Sequence, residues 1–257
     1  IMDRILEGKV IVVSGGTKGI GREIILECAK QGASVVIGGR DRIAGEEILE
    51  QVNATNGKGV FVNLDLFHID ECERLFAVAE SKFNKVDGYV NYAGITPAAS
   101  ILDCEESLFD EIFDINIKAA FFCTKYAIKS MMKNPGGSII LFGSAHSWVG
   151  EKDRAAYAVS KGALFTLFEH ISHHYASNRI RCNFLTMGWT PTEGELSLRK
   201  TQGISEIQLK EMASKVIPMG RMCKIEDHIP GIIYLLSDYS TMVTGSNLRI
   251  TGGEYIY

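Results

Sequence analysis

Short runs of apolar, β-branched residues alternate along the chain with longer segments in which apolar residues recur at helical spacing. The first run, over 9–14, fits a strand that is buried on both faces. Glycines follow it, and the segment 20–30 then has a helical period that stops at Gly32. The same alternation predicts strands at 34–37, 60–64, 87–90, 138–142, 180–185 and 247–250. It predicts further helices at 43–53, 70–83, 107–131, around Tyr157 and at 226–236, and an irregular region over 188–224.

Strands that are separated by helices form βαβ units, in which neighbouring strands run parallel and helices cover both faces of the sheet. The pattern therefore predicts an α/β protein with a doubly wound Rossmann fold and a parallel sheet of seven strands. No linker, repeat or low-complexity segment interrupts the chain. We expect one dinucleotide-binding and catalytic domain over 1–257, with a substrate lid at about 190–222.

Composition narrows the class of protein further. Of the 257 residues, 46% are hydrophobic and 23% are charged, which is typical of a globular protein. A net charge of −4 without any cluster of Lys and Arg argues against nucleic-acid or anionic-membrane partners. The chain has no apolar stretch of about 18 residues that could span a bilayer and no signal-peptide pattern. Its six cysteines are scattered, without a C-x-x-C pair. These features favour a cytoplasmic protein with reduced thiols.

Tyr157 and Lys161 are four residues apart in a segment that is predicted to be helical, so both side chains lie on one face, one turn apart. An ammonium beside a phenol favours the phenolate and lowers the pKa of the phenol from its usual value of about 10. Such a tyrosine is suited to general acid-base catalysis near neutral pH. Taken alone, the pair is common on helices and is more often a surface feature.

A glycine-rich loop joins the first strand to the first helix, with the sequence Ser14-Gly15-Gly16-Thr17-Lys18-Gly19-Ile20-Gly21. In open α/β sheets this position binds a dinucleotide, because glycines let the backbone approach the pyrophosphate and the helix N-terminus attracts its charge. The second strand ends in Gly38-Gly39-Arg40, where a protein that prefers NAD usually has an acidic residue. Arg40, assisted by Lys18, can pair with a 2′-phosphate, so we expect NADP(H) rather than NAD(H). A solvated charge at a helix start is the alternative reading of Arg40.

Several motifs follow one another at consistent spacing, and together they resemble the short-chain dehydrogenase/reductase family along essentially the whole chain. They are the glycine loop, Asp65 after the third strand, Asn91-Tyr92-Ala93-Gly94 after the fourth, Asn116 in the long helix, Ser144 after the fifth strand, and Tyr157 with Lys161. Each motif alone is weak evidence, whereas their conjunction is highly specific.

The resemblance implies a role for each catalytic residue. Tyr157 exchanges a proton with the substrate oxygen, Ser144 hydrogen-bonds that oxygen, and Lys161 lowers the pKa of Tyr157 and holds the nicotinamide ribose. Asn116 holds a water in a proton relay to Lys161. The resemblance also implies cofactor contacts from the loop residues Gly15, Thr17, Lys18, Gly19, Ile20 and Gly21, from Arg40, Asp65, Leu66, Asn91, Ala93 and Gly94, and from Gly188, Thr190 and Thr192.

Three residues depart from the family pattern. Ser14 replaces Thr and keeps a hydroxyl group. Tyr92 replaces the second Asn of N-N-A-G, which puts the hydrogen bonds of that position in doubt. Met187 replaces the Pro that precedes Gly188, so the rigidity of this loop is in question. None of these departures removes a catalytic group.

The substrate is the least determined feature. His146 resembles a position that carries His in some sugar dehydrogenases of the family, although a lone His is more often structural. Trp148, Thr96 and Glu193 could add contacts, as could Ser144 and Tyr157 themselves. We expect a small carbonyl or alcohol substrate, with a polar sugar or polyol as the first hypothesis. A 3-oxoacyl thioester reductase is the alternative, which the segment NYAGIT also suggests. A non-catalytic NADP-binding regulator is a remote third, because all four catalytic residues are present.

Two further expectations concern assembly and metals. The predicted helices around Phe109, Phe121 and Phe165 carry more apolar residues than one buried stripe needs. Family members commonly pair these helices, so we expect a homotetramer built as a dimer of dimers. His170 and His174 are at i and i+4, but no third ligand is evident in the sequence, and we expect no metal site.

Overall fold

The computed structural model describes residues 4–254, apart from the side chains of Glu193 and Leu198. Within these residues, seven parallel strands form one sheet in the order β3-β2-β1-β4-β5-β6-β7. The strands are β1 (Val10–Ser14), β2 (Ser34–Gly39), β3 (Lys58–Asn63), β4 (Gly88–Asn91), β5 (Gly137–Ser144), β6 (Ile180–Met187) and β7 (Asn247–Ile250). The predicted α/β fold class and all seven predicted strands are confirmed.

Helices connect the strands. They are α1 (Gly19–Lys30), α2 (Arg42–Ala54), α3 (Ile69–Phe83), α4 (Glu106–Phe113), α5 (Ala120–Met131), α6 (Ala155–His174), α7 (Glu193–Thr201), α8 (Glu206–Val216) and α9 (Ile225–Leu236). Among the residues described, no helix is both long enough and apolar enough to cross a membrane.

The prediction was wrong at two places. The helix predicted over 107–131 is divided by a π-helical segment, Asp114–Ala119, which joins α4 to α5. The region predicted to be irregular over 188–224 contains α7 and α8. The start of α8 has a capping signal that was overlooked, because the Ser205 hydroxyl accepts a hydrogen bond from the backbone N–H of Gln208 and the Gln208 side chain accepts one from the backbone N–H of Ser205.

Alternating residues of β1 face two separate cores, as the period of two in a strand requires. Val10 and Val12 pack in the core that α3, α5 and α6 cover. Ile11 and Val13 pack in the opposite core, with residues of α1, α2 and α9. Because both faces of the strand are buried, its sequence is continuously apolar instead of alternating.

The strand order reverses between β1 and β4, which opens a crevice at the carboxyl ends of these two strands. Ser14 and Asn91 end the two strands and lie opposite each other in the register. Their side chains are buried and share hydrogen bonds with the Tyr89 hydroxyl, which lies 3.0 Å from Ser14 Oγ and 3.1 Å from Asn91 Oδ1. This polar cluster fixes the floor of the crevice.

Candidate active site

The glycine loop runs from the end of β1 to the start of α1, on one side of this crevice. Gly15 and Gly19 have φ values of 81° and 53°, in the left-handed region that favours glycine. A Cβ at Gly21 would lie 2.1 Å from the Gly15 carbonyl oxygen, and a Cβ at Gly15 would lie 2.7 Å from Ala93 N. The loop therefore needs its glycines in order to fold back on itself and against the segment after β4.

The N-terminus of α1 opens onto this loop without a capping side chain and without an acidic residue in its first turn. Its backbone N–H groups and the positive end of the helix dipole suit a pyrophosphate. The residues present thus fit a dinucleotide. Thr17 lines the same loop, and its Cγ2 would lie 2.5 Å from a Cβ at Gly39.

The edge at which an adenosine 2′-phosphate would bind carries two cations. Arg40 follows β2 and is exposed, and Lys18 is also exposed. The Lys18 ammonium lies 3.1 Å from a carboxylate oxygen of Asp41. Asp41 caps α2, and its pKa is held below the usual value by the backbone N–H of Ala44 and by Lys18. The sequence reading missed Asp41, whose carboxylate shares the charge of Lys18.

The predicted adenine and ribose contacts lie at the ends of β3 and β4. Asp65 Oδ1 accepts a hydrogen bond from the backbone N–H of Phe67 at 3.2 Å, and the side chain of Leu66 is buried. Ala93 N donates to the carbonyl of Ser14 at 2.9 Å, which sets the turn before Gly94. The side chain of Asn91 points into the sheet, so at this position only the backbone is available to a ligand.

Tyr92 lies under the glycine loop, on the opposite side from Asn91. Its ring packs edge-on against Phe142, with 5.1 Å between the ring centroids. A Cβ at Gly21 would lie 2.9 Å from the Tyr92 ring, and its hydroxyl contacts the backbone N–H of Ile20. Burial raises the pKa of Tyr92 to about 12. Asn91 therefore makes the hydrogen bonds to the sheet, and Tyr92 instead supports the loop.

The four predicted catalytic residues come together at the carboxyl ends of β4 and β5. Ser144 ends β5, and its side chain is in hydrogen-bond contact with the Tyr157 hydroxyl. Lys161 lies one turn further along α6, with its ammonium 5.8 Å from the centroid of the Tyr157 ring. Asn116 reaches the cluster from the π-helical segment. Its side chain is buried, as is that of Lys161.

The π-helical segment widens one turn of the long helix, as such segments often do at functional sites. Asn116 Oδ1 accepts from Ile95 N at 2.8 Å, and Nδ2 donates to Ile95 O at 2.9 Å and to Ser160 Oγ at 3.0 Å. Ser160 Oγ in turn donates to the carbonyl of Tyr157 at 2.7 Å. Asn116 thus ties the segment after β4 to the turn of α6 that carries Tyr157.

The pKa values of the pair differ from the expectation. Burial raises the pKa of Tyr157, and the opposing effects come from the Ser144 hydroxyl and the Arg154 charge, not from Lys161. Burial lowers the pKa of Lys161 to about 8. In this structure the Lys161 ammonium donates to the carbonyl of Phe142 at 2.7 Å. The prediction that Lys161 lowers the pKa of Tyr157 is therefore wrong for this arrangement.

A cleft of about 740 Å³ opens in front of Tyr157 and Ser144. Thr96 and His146 lie in its wall. The His146 ring is 5.8 Å from that of Tyr157, its Nδ1 accepts from Glu151 N at 3.3 Å, and burial lowers its pKa. A neutral imidazole therefore faces the cleft.

Two further substrate contacts were predicted, at Trp148 and Glu193. Trp148 is outside the lining of the cleft, because its ring packs edge-on against Phe165 and the Arg249 guanidinium lies 5.0 Å above it. The side chain of Glu193 is outside the described residues. Trp189, Arg154, Arg199 and Glu254 line the cleft and were missed. The position of Arg154, three residues before Tyr157 in the sequence, was the available signal for that residue.

The segment after β6 closes the other side of the crevice. Gly188 N donates to Ile250 O at 2.9 Å, and a Cβ at Gly188 would lie 2.5 Å from Thr251 Cα. Thr190 is buried, and its hydroxyl lies 2.9 Å from His228 Nε2. Thr192 Oγ1 accepts from Glu195 N at 3.3 Å and borders the cleft. Met187 pairs with Ile250 in the register of β6 and β7, immediately before this segment.

The part of the chain that the structure describes contains no group of three or more His, Cys, Asp or Glu residues arranged to hold a metal ion. The rings of His170 and His174 are 4.4 Å apart between centroids and form a pair on α6.

Comparison with known proteins agrees with this architecture. A family model described as enoyl-(acyl carrier protein) reductase matches residues 15–254. L-rhamnose 1-dehydrogenase (NAD(P)(+)) of Azotobacter vinelandii is 32% identical over 257 residues, which covers 98% of both proteins. The 3-oxoacyl-[acyl-carrier-protein] reductase of Escherichia coli K12 is 29% identical over 250 residues, covering 97% of this chain and 98% of the relative. The solved structure of a putative short-chain alcohol dehydrogenase from Sinorhizobium meliloti 1021 superposes with a TM-score of 0.90 at 26% identity, covering 98% of each chain.

A dinucleotide crevice beside a cluster of Ser, Tyr, Lys and Asn side chains defines the class, a nicotinamide-dependent oxidoreductase. Within that class, the chain belongs to the short-chain dehydrogenase/reductase family.

Proposed function

We propose that this protein interconverts a carbonyl and a secondary alcohol with NADP(H), and that Tyr157 is the general acid and base. The observation that carries this proposal is the Tyr157 hydroxyl, which contacts Ser144, borders the cleft and has Lys161 and Asn116 behind it. When bound, the cofactor supplies or accepts the hydride, and the glycine loop, Arg40 and the segment 188–192 would hold it.

In the reducing direction, Tyr157 donates its proton to the substrate oxygen as negative charge develops there. Its raised pKa keeps the phenol protonated at neutral pH, which suits this acid role. The Ser144 hydroxyl hydrogen-bonds the same oxygen. In the oxidising direction Tyr157 takes the proton back; the Ser144 hydroxyl and the Arg154 charge favour the phenolate, and the Lys161 ammonium lies 5.8 Å from the centroid of its ring.

The preference for NADP(H) is supported by the end of β2. Proteins that prefer NAD have a ribose-binding carboxylate at this position, and it would repel a 2′-phosphate. Here the residue is Gly39, and the exposed Arg40 follows it. Asp41 opposes this preference in part, since it pairs with Lys18. However, Asp41 is committed to capping α2, which leaves the charge of Arg40 for the phosphate.

A polar substrate such as a sugar or polyol is the first candidate. It is supported by the polar and charged residues that line the cleft, including Thr96, His146 and Glu195. The L-rhamnose 1-dehydrogenase relative acts on a compound of this kind. The alternative is a 3-oxoacyl thioester, as in the reductase relative from Escherichia coli. A non-catalytic regulator is disfavoured, because a protein that only binds NADP has no need of the full catalytic cluster.

Activity assays test these alternatives. The purified protein is supplied with NADP⁺ and a panel of aldoses, including L-rhamnose, and polyols, and separately with NADPH and acetoacetyl thioesters. Oxidation of a sugar or polyol that is lost in Tyr157→Phe is the expected result. Thioester reduction without any sugar turnover would reject the polyol hypothesis, and cofactor binding without turnover of either class would favour the regulator.

We also propose that the protein forms a homotetramer through α4, α5 and α6. These helices carry large apolar side chains at the surface, among them Phe109, Phe121 and Val159, which are 42%, 50% and 60% exposed. Apolar patches of this kind commonly mark an interface. Sedimentation velocity tests the proposal, and a monomer at micromolar concentration would refute it.

A further inference from the structure

Arg154 is a cation buried in the wall of the substrate cleft. Its side chain is only 4% exposed, and it is the residue immediately before α6. The guanidinium is bonded through Nη1 to the neighbouring residue, at 3.2 Å to the carbonyl of Asp153 and at 3.4 Å to its carboxylate. Both distances are at or beyond the usual upper limit for a hydrogen bond to a charged donor.

The rest of the guanidinium has no such partner. Within residues 4–254, Nε and Nη2 of Arg154 make no hydrogen bond to protein, although a guanidinium offers five donors in a fixed fork. Burying a charge with incomplete compensation costs several kcal/mol. Neither nitrogen is among the fully buried atoms that lack a partner, so the unused donors open toward the cleft that Arg154 lines, where a ligand of opposite charge can bind them.

The backbone holds Arg154 in position toward that cleft. Arg154 N donates to Glu151 O at 3.0 Å, and its carbonyl accepts from Ala158 N at 2.8 Å. A bridge pairs Arg154 with Ala99 on the segment that follows β4. The site is therefore built before any ligand arrives, which reduces the entropy lost on binding.

The carboxylates of the cleft do not occupy the unused donors of Arg154, because Glu195 and Glu254 accept hydrogen bonds from other residues. Glu195 Oε1 accepts from Trp189 Nε1 at 2.6 Å and from Arg199 Nε at 2.7 Å. Glu254 accepts from Trp189 N at 3.1 Å. Glu151 and Glu111 are exposed at the mouth, where water solvates them. Arg154 is thus a cation of the cleft whose guanidinium keeps unused hydrogen-bonding capacity.

We propose that Arg154 binds a carboxylate of the substrate, so that the substrate class is a hydroxy acid or oxo acid, including acids of the sugar series. This inference rests on the proposed function for the position of the reacting carbon. Arg154 immediately precedes α6, three residues before Tyr157; both residues line the cleft, and the charge of Arg154 acts on the Tyr157 phenol. The carboxylate therefore lies a few bonds from the carbon that exchanges the hydride.

Calorimetric titration with sodium malonate tests the subsite without any turnover. Sodium chloride at matched ionic strength is the blank. The wild type is expected to bind malonate, and Arg154→Gln to bind it at least tenfold more weakly. Lys152→Gln removes the same charge from an exposed position two residues away and is expected to match the wild type within twofold. Malonate binding that is absent in the wild type, or equal in Arg154→Gln, overturns the proposal.

Because Arg154 is buried, each variant is first checked by thermal unfolding. If Arg154→Gln does not fold, Arg154→Lys is tested in its place, because lysine keeps the positive charge but lacks the paired N–H donors of the planar guanidinium. A malonate affinity in Arg154→Lys equal to that of the wild type overturns the proposal, and a loss of threefold or more supports it.

Matched pairs of alcohols separate this inference from the proposed function. D-gluconate is compared with D-glucitol, and 3-hydroxybutyrate with butane-1,3-diol, with NADP⁺ as the oxidant. In the wild type the acid should have the higher kcat/KM, and the ratio of acid to neutral compound should fall at least tenfold in Arg154→Gln. The ratio cancels any effect of Arg154 on the pKa of Tyr157, because both compounds use that phenol. Oxidation of the neutral alcohols without malonate binding rejects the subsite alone, whereas malonate binding without oxidation of any alcohol supports the subsite and rejects the function.

Discussion

The ammonium of Lys161 donates a hydrogen bond of 2.7 Å to the backbone carbonyl of Phe142. This contact fixes the lysine between β5 and α6, behind the Tyr157 phenol. Gly94 leaves room for it, since a Cβ there would lie 3.8 Å from the ammonium and 3.2 Å from Asn116 Oδ1. Burial of the Lys161 charge lowers the stability of the folded protein, and the size of this loss depends on pH.

We expect stability to depend on pH through Lys161. Burial lowers its pKa from 10.5 to about 8, so between these values the unfolded chain binds a proton that the folded protein lacks. The contribution of Lys161 to the free energy of unfolding therefore rises as the pH increases from about 8 to 10.5. Below pH 8 the full destabilisation by the buried charge is present. Lys161→Met should gain stability relative to the wild type at pH 7, by an amount on the order of 3 kcal/mol. Urea unfolding at pH 7 and pH 10 checks this, and a difference between the two proteins that does not shrink with pH would contradict it.

Removal of the Tyr157 hydroxyl should abolish proton transfer and leave the cofactor site intact. We expect Tyr157→Phe to lower kcat by about 10²- to 10⁴-fold, the usual contribution of a general acid or base. The dissociation constant of NADPH, measured by fluorescence, should change by less than about threefold. Tyr239→Phe is the matched control, because Tyr239 is 72% exposed. A Tyr157→Phe variant with wild-type turnover would remove Tyr157 from the mechanism.

The sequence predicted the strands, the glycine loop and the four side chains that meet around Tyr157, because each depends on local pattern. A buried strand needs a continuous apolar run, and the loop needs glycine at Gly15 and Gly21 for steric reasons. The errors concern features that depend on tertiary contacts. The π-helical turn at Asn116 has ordinary helical residues, and the turn is fixed by hydrogen bonds to Ile95 and Ser160, which are distant in sequence.

The remaining errors have the same physical origin. Trp148 is close to Ser144 in sequence, but Phe165 and Arg249 provide its ring with a site outside the cleft. The pKa of Tyr157 could not be derived from the spacing to Lys161, because burial has the larger effect and depends on the whole fold. Helical spacing gives proximity between two side chains, whereas the environment determines the sign of the pKa shift.

Asn116 should be important for stability as well as for catalysis. Asn116→Ala removes three hydrogen bonds, which leaves Ile95 N, Ile95 O and Ser160 Oγ without these partners. Unsatisfied groups of this kind cost about 1–3 kcal/mol each where water cannot reach them. We expect the free energy of unfolding to fall by about 2 kcal/mol or more, measured by urea denaturation. Ser160→Ala removes only one of the three contacts and should cost less; an equal loss in both variants would contradict this account.

Arg40 should determine the choice between the two cofactors. Arg40→Asp places a carboxylate beside the adenosine ribose, so it should raise KM for NADPH at least tenfold, because the 2′-phosphate loses a cation and meets an anion. KM for NADH should fall or stay constant. Arg42→Asp is the control: Arg42 is an exposed arginine two residues further on, paired with Glu46 at 2.7 Å. If both variants shift the cofactor preference equally, the effect is one of general charge and Arg40 has no specific role.

The two glycines of the loop should differ sharply in their tolerance of a methyl group. At Gly21 a Cβ would lie 2.1 Å from the Gly15 carbonyl oxygen, a backbone atom that cannot move without opening the loop. At Gly16 the nearest atoms are side-chain carbons, Ile37 Cγ2 at 3.2 Å and Ile25 Cγ1 at 3.3 Å, which can adjust by a few tenths of an ångström. We expect Gly21→Ala to weaken NADPH binding at least tenfold and to lower the midpoint of thermal unfolding. Gly16→Ala should change both quantities much less. Calorimetric titration with NADPH on both variants measures the difference, and similar affinities would show that the contact between Gly21 and Gly15 does not shape the cofactor site.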